Sequence, residues 1–138
     1  MNIKKKTVYF SRVLVFLFML SSCNKKDNMQ RTDVKPGVYW VEEVGFAGPK
    51  LYLYENGTGE FVYSPLSSNI LIGTYTVQKE TLIFMDKETE LVYSFDIQGD
   101  SLVFSANKSA EIPQYDEEAV QDNMIFTYAK ELSEHYTK

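Results

Sequence analysis

Cys23 is the only thiol in this chain of 138 residues and His135 the only imidazole. Ser-His-Asp chemistry needs a nucleophile, a base and an orienting group held within hydrogen-bond reach. His135 stands three residues from the C-terminus in a polar stretch expected to fray, so it is a poor general base. Zinc and most transition-metal sites draw several ligands from His and Cys, which this composition cannot supply. Acids are plentiful but poorly spaced. Asp116-Glu117-Glu118 with Asp122 lacks the alternate ligand positions and central glycine of a calcium loop, and reads as the solvated face of a short helical turn near residues 115 to 121. Glu42 and Glu43 are adjacent, so a strand would send them to opposite faces, whereas a glycosidase pair must meet across about 5 to 9.5 Å. Gly57-Thr58-Gly59 has no following Lys-Ser/Thr and is not a phosphate loop. The expectation is a non-enzymatic protein with no catalytic residue, no metal and no cofactor. An enzyme working with carboxylates alone, from among Glu42, Glu60, Asp96 and Glu111, is the remaining catalytic alternative.

The surroundings of Cys23 suggest what its sulfur is for. Lys4-Lys5-Lys6 and Arg12 precede the apolar run Val13 to Leu20, and Ser21-Ser22-Cys23 follows at once. A run this short cannot cross a bilayer core, which takes about 20 apolar residues, but it has the three-part layout of a secretory signal. Leu20-Ser21-Ser22-Cys23 closely resembles the lipobox of bacterial lipoproteins, where small residues let a peptidase cut just before a cysteine that carries diacylglycerol. The resemblance implies a signal peptide over 1–22, a lipidated Cys23 as mature N-terminus, and a membrane partner reached through its acyl chains. With a single cysteine no intrachain disulfide can form, and lipidation would consume a thiol that is a liability in an oxidising compartment.

Residues 24–36 are polar and charged with no apolar period, which reads as a flexible tether ending at Pro36. Asn24 stands where Asp is the usual inner-membrane retention mark, so the outer membrane is favoured in a cell with two membranes, and the outer face of the cell membrane otherwise. After residue 22 the chain carries ten basic against nineteen acidic side chains, a net charge near −9. That balance repels phosphate backbones and argues against nucleic-acid partners.

From residue 37 onward apolar residues alternate at period two, with turn signals every eight to twelve residues. Two-residue turns at Lys79-Glu80, Lys87-Glu88 and Gly99-Asp100 would set Val77 opposite Leu82, Phe84 opposite Leu91 and Ile97 opposite Leu102. All three put Tyr75, Val77, Leu82, Phe84, Leu91, Tyr93, Phe95, Ile97, Leu102 and Phe104 on one face; a one-residue slip would invert the set. Glu55-Asn56-Gly57 fits a three-residue loop with Gly57 left-handed, and Gly99 suits a type II′ turn. Eight strands are predicted, near 37 to 44, 50 to 55, 58 to 64, 70 to 77, 81 to 86, 89 to 98, 101 to 107 and 123 to 129. The fold class is therefore all-β: an eight-stranded antiparallel up-and-down meander closed into a small barrel over 37–130, with an open two-layer sandwich as the alternative. Residues 131–138 read as a polar tail.

The opening Gly37-Val38-Tyr39-Trp40, the Leu51-x-Leu53 strand with its Asn56-Gly57 turn and Phe61, and Gly73-x-Tyr75-x-Val77 with Leu82-x-Phe84 resemble the small lipocalin-like domains of bacterial lipoproteins. The likeness spans most of residues 37–107 and implies a lipocalin-like barrel. Lipocalins proper have Gly-x-Trp in the first strand, whereas here Tyr39 takes that place and Trp40 follows. The many large aromatics on the inner face predict an interior filled by its own side chains.

In an up-and-down order the connections alternate between the two barrel ends. One end receives only tight turns, at 55–57, 79–80 and 99–100. The other receives 45–49, 65–69 and the long connection 108–122, with only Lys87-Glu88 short. Strand one starts at the tight end, so the tether attaches there and the long loops face away. Phe46, Leu66, Ile112 and Tyr115 would supply apolar contacts at that far rim, either capping the core or binding a partner. The expectation is an envelope lipoprotein serving as a binding module for a protein, a glycan or a small amphiphile. The alternative is an inhibitor or immunity-type protein that blocks a secreted enzyme, with Ser64 to Ile70 as the inserting loop.

Overall fold

Strands form where large apolar side chains recur at every second residue, because only a pleated backbone sends them all to one face. A computed structural model describes residues 33–64, 69–112 and 120–136. The chain divides into two units, Met1–Gln30 and Arg31–Lys138, and the described residues belong to the second. That unit contains β1 (Gly37–Trp40), β2 (Lys50–Leu53), β3 (Thr58–Ser64), β4 (Asn69–Gln78), β5 (Thr81–Asp86), β6 (Val92–Gln98), β7 (Ser101–Phe104), β8 (Ile125–Tyr128) and a short helix, α1 (Lys130–Ser133). The strands run antiparallel in sequence order and close on themselves as a lipocalin-like barrel, each neighbour following its predecessor by the shortest route.

Two of the three predicted short turns keep their register. Gln78 pairs with Thr81 and Gln98 with Ser101, so Val77 meets Leu82 and Ile97 meets Leu102. Gly99 takes φ 61°, and Tyr54 accepts from Gly57 across the 55–57 loop, where Gly57 sits at φ 80°. The third turn is longer than expected. Phe84 pairs with Tyr93, not Leu91, and the loop is the four residues Lys87 to Glu90. Its cause is Asp86, whose Oδ2 accepts from the Thr89 amide at 2.9 Å and the Thr89 hydroxyl at 2.6 Å, while its carbonyl accepts from Glu90. A shift of two residues preserves the inner face. Leu91 itself is lifted to the rim and is exposed, as is Val77, next to last in β4.

The interior is packed solid around Phe61. Its ring lies 5.4 to 6.4 Å, centre to centre, from those of Tyr63, Phe84, Tyr93, Phe95, Phe104 and Phe126, mostly edge to face. This is the geometry that aromatic quadrupoles favour. Leu51, Leu53, Leu82 and Leu102 fill the spaces between, and every one of these side chains is buried.

Closure depends on a short seam. β1 meets β8 only through Tyr39 with Tyr128 and Trp40 with Thr127, extended by the Ala129 amide donating to the Val38 carbonyl at 2.8 Å. Outside this seam lies α1, which occupies the start of the stretch expected as a polar tail. Ser133 Oγ accepts from the Val38 amide at 2.9 Å and donates to the Ala129 carbonyl at 2.7 Å. The helix explains why Val38, whose side chain points outward from the barrel, has no exposed surface. Beyond it Tyr136 meets Tyr52 edge to face. No helix among the described residues is long and apolar enough to cross a membrane.

Candidate functional site

The chain enters the barrel at its tight-turn end. Lys35 Nζ lies 3.1 Å from Asp100 Oδ1 in the β6–β7 turn, and the Tyr39 hydroxyl donates to the Lys35 carbonyl at 2.9 Å. The opposite end therefore holds the long connections, and the side chains there decide what the fold can do.

β1 stops at Trp40, shorter than the sequence suggested, because Val44 and Gly45 donate back to the Val41 carbonyl and fold the chain over. A 3₁₀ turn, Gly45–Ala47, follows. Phe46 projects from it, 73% exposed, with its ring edge to face on Trp40 at 5.4 Å. Lys50 holds this turn from beneath. Its side chain is buried, and Nζ donates to the Phe46 carbonyl and, at 3.2 Å, to the Gly48 carbonyl. Burial pushes the Lys50 ammonium below its ordinary pKa, while the two carbonyls favour the charged form. Lys50 thus serves as a strut for the loop.

On the far side the chain leaving β7 makes a second 3₁₀ turn, Ala106–Lys108, and then lies back along β6. Ser94 donates its amide to Ser109 Oγ and its hydroxyl to the Lys108 carbonyl, and Ala110 donates to the Val92 carbonyl. This return carries Ile112 inward, where it is 6% exposed and packed in the core with Val120. Of the four residues expected at the rim, then, Phe46 projects into solvent and Ile112 seals the barrel mouth. Leu66 and Tyr115 lie outside the described residues, as do Cys23 and residues 115–119 of the helical turn expected near 115 to 121.

Among the described residues, two depressions open at this end. One, of about 430 Å³, lies among Phe104, Ser109, Glu111, Ile112, Val120 and Asp122. The other, of about 460 Å³, lies between Val41–Val44 and Gln121–Ile125, with Thr127 also lining it. Exposed apolar side chains stand beside the second: Val44 at 45% and Ile125 at 54%. Glu42 and Glu43, which a strand would have sent to opposite faces, both line it because they sit in the turn. Asp122 adds a third carboxylate, fixed by the Ala106 amide at 2.8 Å and by Asn123 Nδ2 at 3.0 Å.

His135 is exposed in the turn after α1, its amide donating to the Leu132 carbonyl. Among the described residues no group of three or more His, Cys, Asp and Glu side chains is arranged to hold a metal ion. Sequence reasoning missed Val44, Ile125 and Lys50; the paired glycines of Gly45-Phe46-Ala47-Gly48 were the available hint that β1 would end early. The chain matches no protein-family model, no curated protein and no solved structure.

Proposed function

We propose that this protein is a lipid-anchored, non-enzymatic envelope lipoprotein that binds a partner with the long-loop end of its barrel. The observation that carries the reading is the contrast between the two regions of the domain: the interior is filled by aromatic rings, while the mouth opposite the chain entry carries both depressions and the exposed Phe46, Val44 and Ile125. A filled interior disfavours a carrier of enclosed small molecules. Loops presented by a rigid scaffold are the usual place for recognition. Anchoring at Cys23 supports the same orientation, since a tether joined at the tight-turn end leaves the long loops turned outward. The acidic processed chain disfavours nucleic acid.

The test uses the full chain recovered from the envelope of its own cells. Mass spectrometry is expected to find an N-terminal diacylated Cys23, and an intact Met1 or an unmodified thiol refutes the anchor. Cross-linking of that material is expected to yield a stoichiometric partner, lost in Phe46→Glu and Ile125→Glu and retained in Ile72→Glu, which alters the exposed outer face of β4, across the ring from β8. Equal retention in all three refutes the binding end.

A further inference from the structure

Among the described residues, the seam between β1 and β8 leaves strand edge uncovered. In an antiparallel pair, bonded and non-bonded residue pairs alternate. The Ala129 amide donates to Val38, which makes 129 with 38 a bonded pair, then 127 with 40, and then 125 with 42. On the other side of β8, the Phe104 amide donates to the Met124 carbonyl at 2.9 Å, so Phe126 is the β8 residue bonded to β7 and Ile125 is not. The backbone N–H and C=O of Ile125 therefore point toward β1. Glu42 would meet them if β1 continued, but the turn at Val41–Gly45 has taken it away. Those two groups face the 460 Å³ depression.

We infer that this notch receives an extended, cationic segment of a partner polypeptide, laid beside β8 as a short additional strand. The inference rests on the binding-module reading and names the partner's chemistry. Strand addition draws affinity from main-chain hydrogen bonds and specificity from alternating side chains. The notch offers both: the Ile125 main chain at its floor, exposed Val44 and Ile125 for apolar side chains, and the carboxylates of Glu42, Glu43 and Asp122 for cations. Among the described residues no Lys or Arg lines it, and Lys50 is spent on the Phe46 and Gly48 carbonyls. A negative wall without counter-charge steers positive segments in and acidic ones away.

The full chain in a neutral detergent would be titrated with labelled Lys-Val-Lys-Val-Lys-Val, with the Glu-Val and Ser-Val versions, and with the lysine peptide N-methylated along its backbone. Fluorescence anisotropy and amide hydrogen exchange are the readouts. The lysine peptide alone should bind, more weakly as salt rises, and should slow exchange at Ile125 and along 41–44 while leaving Phe126 unchanged. Neutralising both turn acids, Glu42→Gln with Glu43→Gln, should weaken it about tenfold, as two partly exposed charge pairs warrant. N-methylation should abolish binding. Equal binding of the Glu-Val or Ser-Val peptide, indifference to N-methylation, protection elsewhere than the notch, or no binding at all overturns the inference. If no peptide binds but the envelope partner is still cross-linked and still lost in Phe46→Glu, only the cationic-strand inference falls. If the cross-linked partner is absent too, the binding-module reading falls with it.

Discussion

Replacing Phe61 by alanine tests whether the barrel is a solid or a vessel. The ring has no exposed surface and is walled by six other aromatic rings, so little can collapse into the space it leaves. Losing the transfer free energy of a fully buried Phe costs roughly 1.5–3 kcal/mol. A void of roughly 80 Å³, at about 24 cal/mol per Å³, adds ~2 kcal/mol. The expected loss is thus about 4 kcal/mol, close to the upper range for such changes, and a large share of the roughly 5–15 kcal/mol by which domains are stable. Urea unfolding followed by intrinsic fluorescence should show it as a lower midpoint at unchanged slope. The variant should also gain affinity for benzene-sized apolar ligands that the unaltered protein does not bind, because an apolar void of this kind stays dry and accepts them. A loss below about 1.5 kcal/mol, or equal uptake of lipophilic ligand by both proteins, would refute the packed interior and revive a carrier role.

Other expectations follow from single contacts. Gly73 pairs with Gly59 between β3 and β4, and a Cβ on Gly73 would lie 2.0 Å from the Met85 carbonyl oxygen; Gly73→Ala should cost about 2 kcal/mol or more in chemical unfolding, because backbone has to shift. Lys79 occupies φ 55° in the β4–β5 turn, a region that costs a side-chain-bearing residue about 1 kcal/mol, so Lys79→Gly should raise the melting temperature by a few degrees. Burial, followed by the neighbouring Tyr128, raises the Tyr39 hydroxyl above its ordinary pKa, and burial with the Glu60 hydrogen bond lifts Tyr54 to about 12. A raised phenol keeps its proton longer folded than unfolded. Its stabilisation is therefore full below pH 10 and is lost as pH climbs through the folded value. Alkaline unfolding should begin above that pH, with the phenol absorbance of the folded protein lagging that of the denatured chain; coincident titrations would contradict it.

Period-two alternation and turn residues were enough to read the eight strands and the sense of their faces, because a slip by one would have exposed Phe84, Phe95 and Phe104 together. Other features depended on interactions that no local pattern records. Asp86 and Thr89 lengthen a turn by bonding one another, which hydrophobic alternation cannot register. The sequence predicts a first strand through Val44, yet β1 ends at Trp40 because Val44 and Gly45 donate back to the Val41 carbonyl and fold the chain over. Ile112 is an apolar residue in a long connection, and only the return of that connection along β6 decides that it caps the core while Phe46 does not. At four residues, α1 is too short for a helical period to show.

The clasp of α1 on β1 has a consequence in time. Val38 and Ser133 are 95 residues apart, so β1 waits for β8 and α1 to be made before its free edge is covered. Hairpins β2 through β7 can zip locally, but the ring cannot shut until β8 has emerged, and such long-range joints are slow to form. During that interval both unpaired borders are open to other chains. A truncation that spared every strand and removed only 129–138 would leave the ring held shut by two residue pairs alone, with the main chain of Val38 bare.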